Sequence, residues 1–101
     1  MRRGTTPTLK IRVIGVDLSE FENIYVTIKQ DETEVTKTSA DYQLEVEGEI
    51  IYAFLTQEDT LKFRHSCVWV QMRAVTKDGL AVASNIRMVE MKDVLKDGVI
   101  E

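Results

Sequence analysis

Cys67 is the only cysteine in the chain, so no intrachain disulfide can form and a small secreted scaffold held by disulfides is excluded. Long apolar runs are missing as well, and nothing approaches the length of a membrane span. The opening Met1-Arg2-Arg3-Gly4-Thr5-Thr6-Pro7 carries charge, but no apolar stretch of signal-peptide length follows it. Synthesis in the cytoplasm, with no membrane partner, is the expectation. Positive charge is not in excess either. A formal net charge of -4, with basic residues scattered among acidic ones, sets up a field that repels a polyphosphate backbone, so nucleic acid is not an expected partner. No phosphate loop, Gly-x-Ser-x-Gly elbow or His-Glu-x-x-His occurs. The expectation is a protein that is not an enzyme, with no catalytic residues, no metal and no cofactor.

What is present suits one folded domain. The 101 residues are 44% apolar and 30% charged, outside the regime of disorder. A chain of that length supports one core. Sustained three-and-four spacing is nearly absent, whereas apolar residues alternate at period two, the mark of half-buried strands. Leu9, Ile11 and Val13 form the first such set, and Ile24, Val26 and Ile28 the clearest. Leu18 and Phe21 read as anchors of the loop between them. Asp31-Glu32 is a turn into Thr33 to Thr38, a polar β-branched segment suited to an exposed edge. Tyr42, Leu44 and Val46 alternate up to Gly48, which supplies a hairpin turn.

The segment Glu49 to Leu55 is apolar on both parities, with Ile51, Ala53 and Leu55 on one face and Ile50, Tyr52 and Phe54 on the other. Thr56-Gln57-Glu58-Asp59 fits a capping box over a single helical turn, with Leu61 and Phe63 reaching back to the core. Val68, Val70, Met72 and Ala74 alternate with Cys67, Trp69, Gln71 and Arg73, and Asp78-Gly79 signals a hairpin into Leu80 to Met91. A bulge near Ser84-Asn85 would switch the buried set of that last strand to Ile86 and Met88. About seven strands with one short helical turn give an immunoglobulin-like antiparallel β-sandwich. It comprises an N-terminal arm over residues 1–7, the sandwich over 8–92 and a tail over 93–101.

Few residues point to chemistry. His65 and Cys67 suggest a base with a nucleophile, yet they lie two apart with no visible orienting partner, and a loop histidine beside an inert thiol explains them better. Glu45, Glu47 and Glu49, or Asp31, Glu32 and Glu34, offer oxygen ligands of the kind calcium takes. Neither set has EF-hand spacing, and a solvated acidic face accounts for both. The surplus of apolar side chains is more informative. With Ile51, Ala53, Leu55, Val68, Val70 and Met72 turned inward, Ile50, Tyr52, Phe54 and Trp69 turn outward. On neighbouring strands these four would form one aromatic patch of the kind that marks a protein contact. The alternative is that a loop, or the tail with Leu95, Val99 and Ile100, covers them.

The stretch Leu55-Thr-Gln-Glu-Asp-Thr-Leu-Lys-Phe63, with Val70-Gln-Met-Arg-Ala74, the Asp78-Gly79 turn, Ala83-Ser-Asn-Ile86 and the opening Met1-Arg-Arg-Gly-Thr-Thr-Pro-Thr8, resembles a group of small, uncharacterised prophage proteins. In order of elements the chain is also similar, more remotely, to the immunoglobulin-like N-terminal domain of phage upper baseplate proteins. These resemblances imply a structural component of a phage or prophage particle, in a tail or baseplate. Other phage structural proteins or copies of itself would be its partners, and it would be found on the virion. A second function to weigh is carbohydrate or cell-surface binding, with Trp69 and Tyr52 stacking on sugar rings.

Overall fold

Period-two alternation in the sequence becomes strand almost everywhere. The computed structural model describes residues 1–101, and its elements run β1 (Thr8–Arg12), β2 (Asn23–Gln30), β3 (Thr33–Thr38), β4 (Leu44–Glu47), β5 (Ile50–Phe54), α1 (Gln57–Leu61), β6 (Ser66–Val75), β7 (Ala81–Ala83) and β8 (Arg87–Met91). Two antiparallel sheets result. The smaller has the order β1-β5-β4, and the larger the order β3-β2-β6, with β7 and β8 both pairing with the far edge of β6. This is the immunoglobulin-like connectivity without its first strand: β1, β5 and β4 stand as B, E and D, β2, β6 and β8 as C, F and G, and β3 lies beside β2.

The inward parity expected for β5 and β6 holds. Ile51, Ala53, Leu55, Val68, Val70, Met72 and Ala74 are all buried, and they meet Ile24, Val26 and Ile28 of β2 between the sheets. Leu18 is fully buried and Phe21 packs on the core, so the loop after β1 is anchored as its sequence suggests. Each Val, Leu, Ile, Met or Phe side chain so removed from water contributes on the order of 1.5–3 kcal/mol. The turn glycines do what their positions require. Gly48 at φ 59 joins β4 to β5, and Gly79 at φ 83 turns the chain into β7, a backbone region that only glycine enters without strain.

α1 starts on a complete capping box. Thr56 Oγ1 accepts from Asp59 N at 3.1 Å, and Asp59 Oδ2 accepts from Thr56 N at 2.8 Å. Phe63, just past the helix, is 1% exposed and closes that end of the core.

Two expectations need correction. Tyr42 is not part of β4. Residues Ser39–Asp41 wind into a single 3₁₀ turn, and Tyr42 leaves it in the left-handed region at φ 57, the residue 94% exposed. The second concerns the last strand. A bulge does break it between β7 and β8, but the residues buried beyond it are Val89, in part, and Met91, fully, whereas Ile86 and Met88 face solvent. Register explains the switch. Ala74 pairs with Val82 before the break and Val68 with Val89 after it, so one extra residue is absorbed in between. Ser84 repairs the ladder there, its backbone N–H donating to Met72 O and its Oγ accepting from Met72 N, both at 2.9 Å.

The arm and tail are held to the domain. Arg2 bridges in parallel to Lys92, and Arg3 N donates to Lys92 O at 2.9 Å. The Arg3 guanidinium reaches Phe63 O at 2.6 Å, Leu61 O at 3.4 Å, Asp93 at 3.0 Å and Asp97 at 3.1 Å. Gln57 on α1 exchanges two hydrogen bonds with the backbone of Ile100.

Candidate protein-contact surfaces

β5 is the middle strand of the small sheet, so one face of it enters the core and the other must look outward. Ile50 and Tyr52 are half-buried on that outer side and Phe54 is 39% exposed. Directly opposed residues of antiparallel neighbours share a face, and register therefore lays out the whole surface. On one side Thr8, Lys10 and Arg12 of β1 stand level with Phe54, Tyr52 and Ile50. On the other, Glu45 and Glu47 of β4 stand level with Tyr52 and Ile50. An aromatic and aliphatic column thus runs between a basic edge and an acidic edge.

These charges have no partner within the chain. The ion pairs are Arg3 with Asp93 and Asp97, Lys37 with Asp59, and Arg64 with Asp31. None involves Lys10, Arg12, Glu45 or Glu47.

Trp69 lies elsewhere. It is 50% exposed on the outer side of β6, in the larger sheet, opposite Lys29 on β2 and Met88 on β8. The two outer faces of a sandwich point in opposite directions, so Trp69 cannot join Ile50, Tyr52 and Phe54 in one patch. The expected single surface is therefore two. The reason lies in the connection: α1 carries the chain from one sheet across to the other, so β5 and β6 are consecutive without being neighbours. For the same reason Trp69 and Tyr52 cannot bracket one sugar. Nor does the tail cover Trp69, since it docks at α1 and Arg3 with Leu95, Val99 and Ile100 exposed.

Exposed Met88 stands beside Trp69 on this second face, and Tyr25 stands towards its other end. Between Tyr25 and Arg73 lies an open depression of about 400 Å³, lined also by Thr27, Thr36, Val75 and Ala81.

No hydrogen bond joins His65 to Cys67. The Nδ1 of His65 lies 3.1 Å from Met91 O, a carbonyl that can only accept, which places the proton on Nδ1. The acidic groups do not converge either. Glu45 and Glu47 stay on the outer face of β4 while Glu49 turns away to accept from Gly15 N, and Asp31 pairs with Arg64. No three such side chains stand close enough together to hold a metal ion, and no helix is long and apolar enough to cross a membrane.

The sequence shows Ile50, Tyr52 and Phe54 on one face of their strand and Glu45 and Glu47 on one face of theirs, but not the basic border of Lys10 and Arg12. The β4–β5 hairpin about Gly48 was a signal for Glu45 beside Tyr52. Nothing local marks β1 as the other neighbour. Comparison with protein-family models, with curated proteins and with solved structures returns no match.

Proposed function

We propose that this chain is a non-catalytic structural module of a phage or prophage particle, in a tail or baseplate, acting through protein contacts. One observation carries the reading: apolar and aromatic side chains remain at the surface on both outer faces of the sandwich, around Tyr52 and Phe54 on one and Trp69 and Met88 on the other. Exposed patches of this kind mark contact sites, and a pair pointing in opposite directions suits a link between two neighbours. The stretches that resemble prophage proteins supply the setting. Particles purified from the organism that encodes the chain, analysed by quantitative mass spectrometry, test it. The chain is expected at a fixed ratio to the tail proteins, and its absence from intact particles would sink the assignment.

A second reading, binding of a cell-surface carbohydrate, is favoured by Tyr25 and Trp69 sharing the outer face of the larger sheet. Their positions differ by four residues along the strands, about 13 Å, with the polar Thr27 and Gln71 between them. A glycan array showing no signal for the wild type removes this reading.

A further inference from the structure

We infer that the outer face of the β1-β5-β4 sheet docks a second copy of this chain, through a two-fold axis running nearly along the strands. This inference rests on the surface alone and stands apart from the particle reading.

The argument is one of charge symmetry. Lys10 and Arg12 border the Ile50-Tyr52-Phe54 column on one side, Glu45 and Glu47 border it on the other, and all four lack an ion-pair partner. Two copies of such a face can meet about an in-plane two-fold axis set either across or along the strands. An axis across the strands returns each stripe to its own side, so lysine and arginine would oppose their own counterparts. An axis along the strands exchanges the sides. Lys10 then opposes Glu45 of the second copy, Arg12 opposes Glu47 of the second copy, and the two Tyr52 columns meet in the middle.

Edge-to-edge dimers fare worse. Pairing β1 with β1 sets basic residues against basic ones, and pairing β4 with β4 sets carboxylates against carboxylates, both destabilising when directly opposed. Only the axis along the strands makes this surface complementary to itself, and twisted sheets stack readily with their strands so aligned.

Size sets the strength. Three strands of about five residues span roughly 15 by 17 Å, well below the ~800 Å² per partner of a standard interface. The expected dissociation constant is therefore about 0.1–1 mM at low salt.

Sedimentation equilibrium up to millimolar protein provides the test, with circular dichroism confirming that each variant is folded. Wild type should show a monomer–dimer equilibrium that salt weakens. Lys10→Glu/Arg12→Glu and Glu45→Lys/Glu47→Lys should each weaken association at least about thirtyfold, since attraction becomes repulsion at every pair. An equimolar mixture of the two variants should recover a one-to-one dimer, because an all-acidic face then meets an all-basic one. A wild type that stays monomeric at millimolar concentration overturns the inference and leaves the face to another occupant. So does a dimer indifferent to both reversals, a mixture that stays monomeric, or a mass that grows without limit. Because the measurement is made in purified solution, neither its success nor its failure bears on whether the chain belongs to a particle.

Discussion

Lys37 Nζ lies 2.6 Å from Asp59 Oδ2, with the two side chains 7% and 10% exposed. Lys37 belongs to β3, the edge of the larger sheet, and Asp59 to α1, which follows the last strand of the smaller one. The pair therefore ties the two layers together at one end of the sandwich. Asp59 has a second duty there, since the same Oδ2 accepts from Thr56 N and caps the helix. Lysine is almost never fully buried without a partner, and here the partner is itself held in place by the capping box.

Removing one member of a buried pair costs more than the pair contributes, because the other charge is left without compensation. Lys37→Met should lower unfolding stability by about 3 kcal/mol, and Asp59→Ala by about 4 kcal/mol because the half of the capping box that Asp59 supplies is lost as well. Chemical denaturation of the single variants and of Lys37→Met/Asp59→Asn checks this. The double variant, with no charge left at the site and an amide oxygen still able to accept from Thr56 N, should recover part of the loss. Equal destabilisation by all three would show that the ion pair is not the source.

Acid should act through the same residue. Burial pushes the Asp59 carboxyl up, yet the Lys37 ammonium and the hydrogen bonds of Thr56 together hold it below the ordinary carboxylate range. A carboxyl depressed in the folded state contributes stability that is present above its unfolded value, about 3.9, and is lost as pH falls through the lower folded value. Asp93, held down by Val94 N–H and Arg3, and Asp17, held down by Ser19, act in the same direction. Melting temperature should therefore be nearly flat near neutrality and fall below about pH 4. In Asp59→Asn the fall should be shallower, and an unchanged acid limb would remove Asp59 from this account.

Much of the fold was legible because it is written in local alternation. Ile51, Ala53 and Leu55 face inward as their parity requires, the Thr56–Asp59 capping box forms, and Gly48 and Gly79 turn the chain. What was hidden depends on contacts far apart in sequence. Lys37 sits in a polar, β-branched segment that reads as exposed, and its inward turn makes sense only once Asp59 is beside it. Parity alone puts Trp69 with Tyr52, because alternation gives the face of a strand within its sheet but not which sheet the strand joins. The basic border of Lys10 and Arg12 is hidden for the same reason, since the β1–β5 pairing leaves no local trace.

Ser84 stands in for a missing rung of the ladder. Its hydroxyl accepts from Met72 N and donates to Asn85 O at 3.0 Å, so Ser84→Ala leaves a part-buried backbone N–H without an acceptor. A loss of about 1–2 kcal/mol is expected, with faster hydrogen exchange concentrated at the Met72 amide. Exchange rising evenly across β6 would instead indicate general loosening.

Arg3 is the pin of the tail. With its side chain 16% exposed, it holds two carbonyls at the end of α1 as well as Asp93 and Asp97. Arg3→Gln keeps some hydrogen bonding but gives up the charge and the planar fork. Trypsin should then cut after Lys92 and Lys96 many times faster than in wild type, while the sandwich stays intact. If cleavage at those two sites is unchanged, the tail is held by Gln57 and not by Arg3.

Trp69 is the only tryptophan, which makes it a clean reporter of the face opposite Tyr52. Half exposed beside Lys29 and Met88, it should emit at long wavelength and be quenched by acrylamide in the folded monomer. Dimers built on the β1-β5-β4 face leave it uncovered. Quenching should therefore stay the same from the dilute monomer to the concentrated dimer, whereas a tyrosine-directed probe at Tyr52 should lose reactivity over the same range. Protection of Trp69 in the dimer would place the contact on the larger sheet instead, because the two outer faces are separated by the full thickness of the core and one contact cannot cover both.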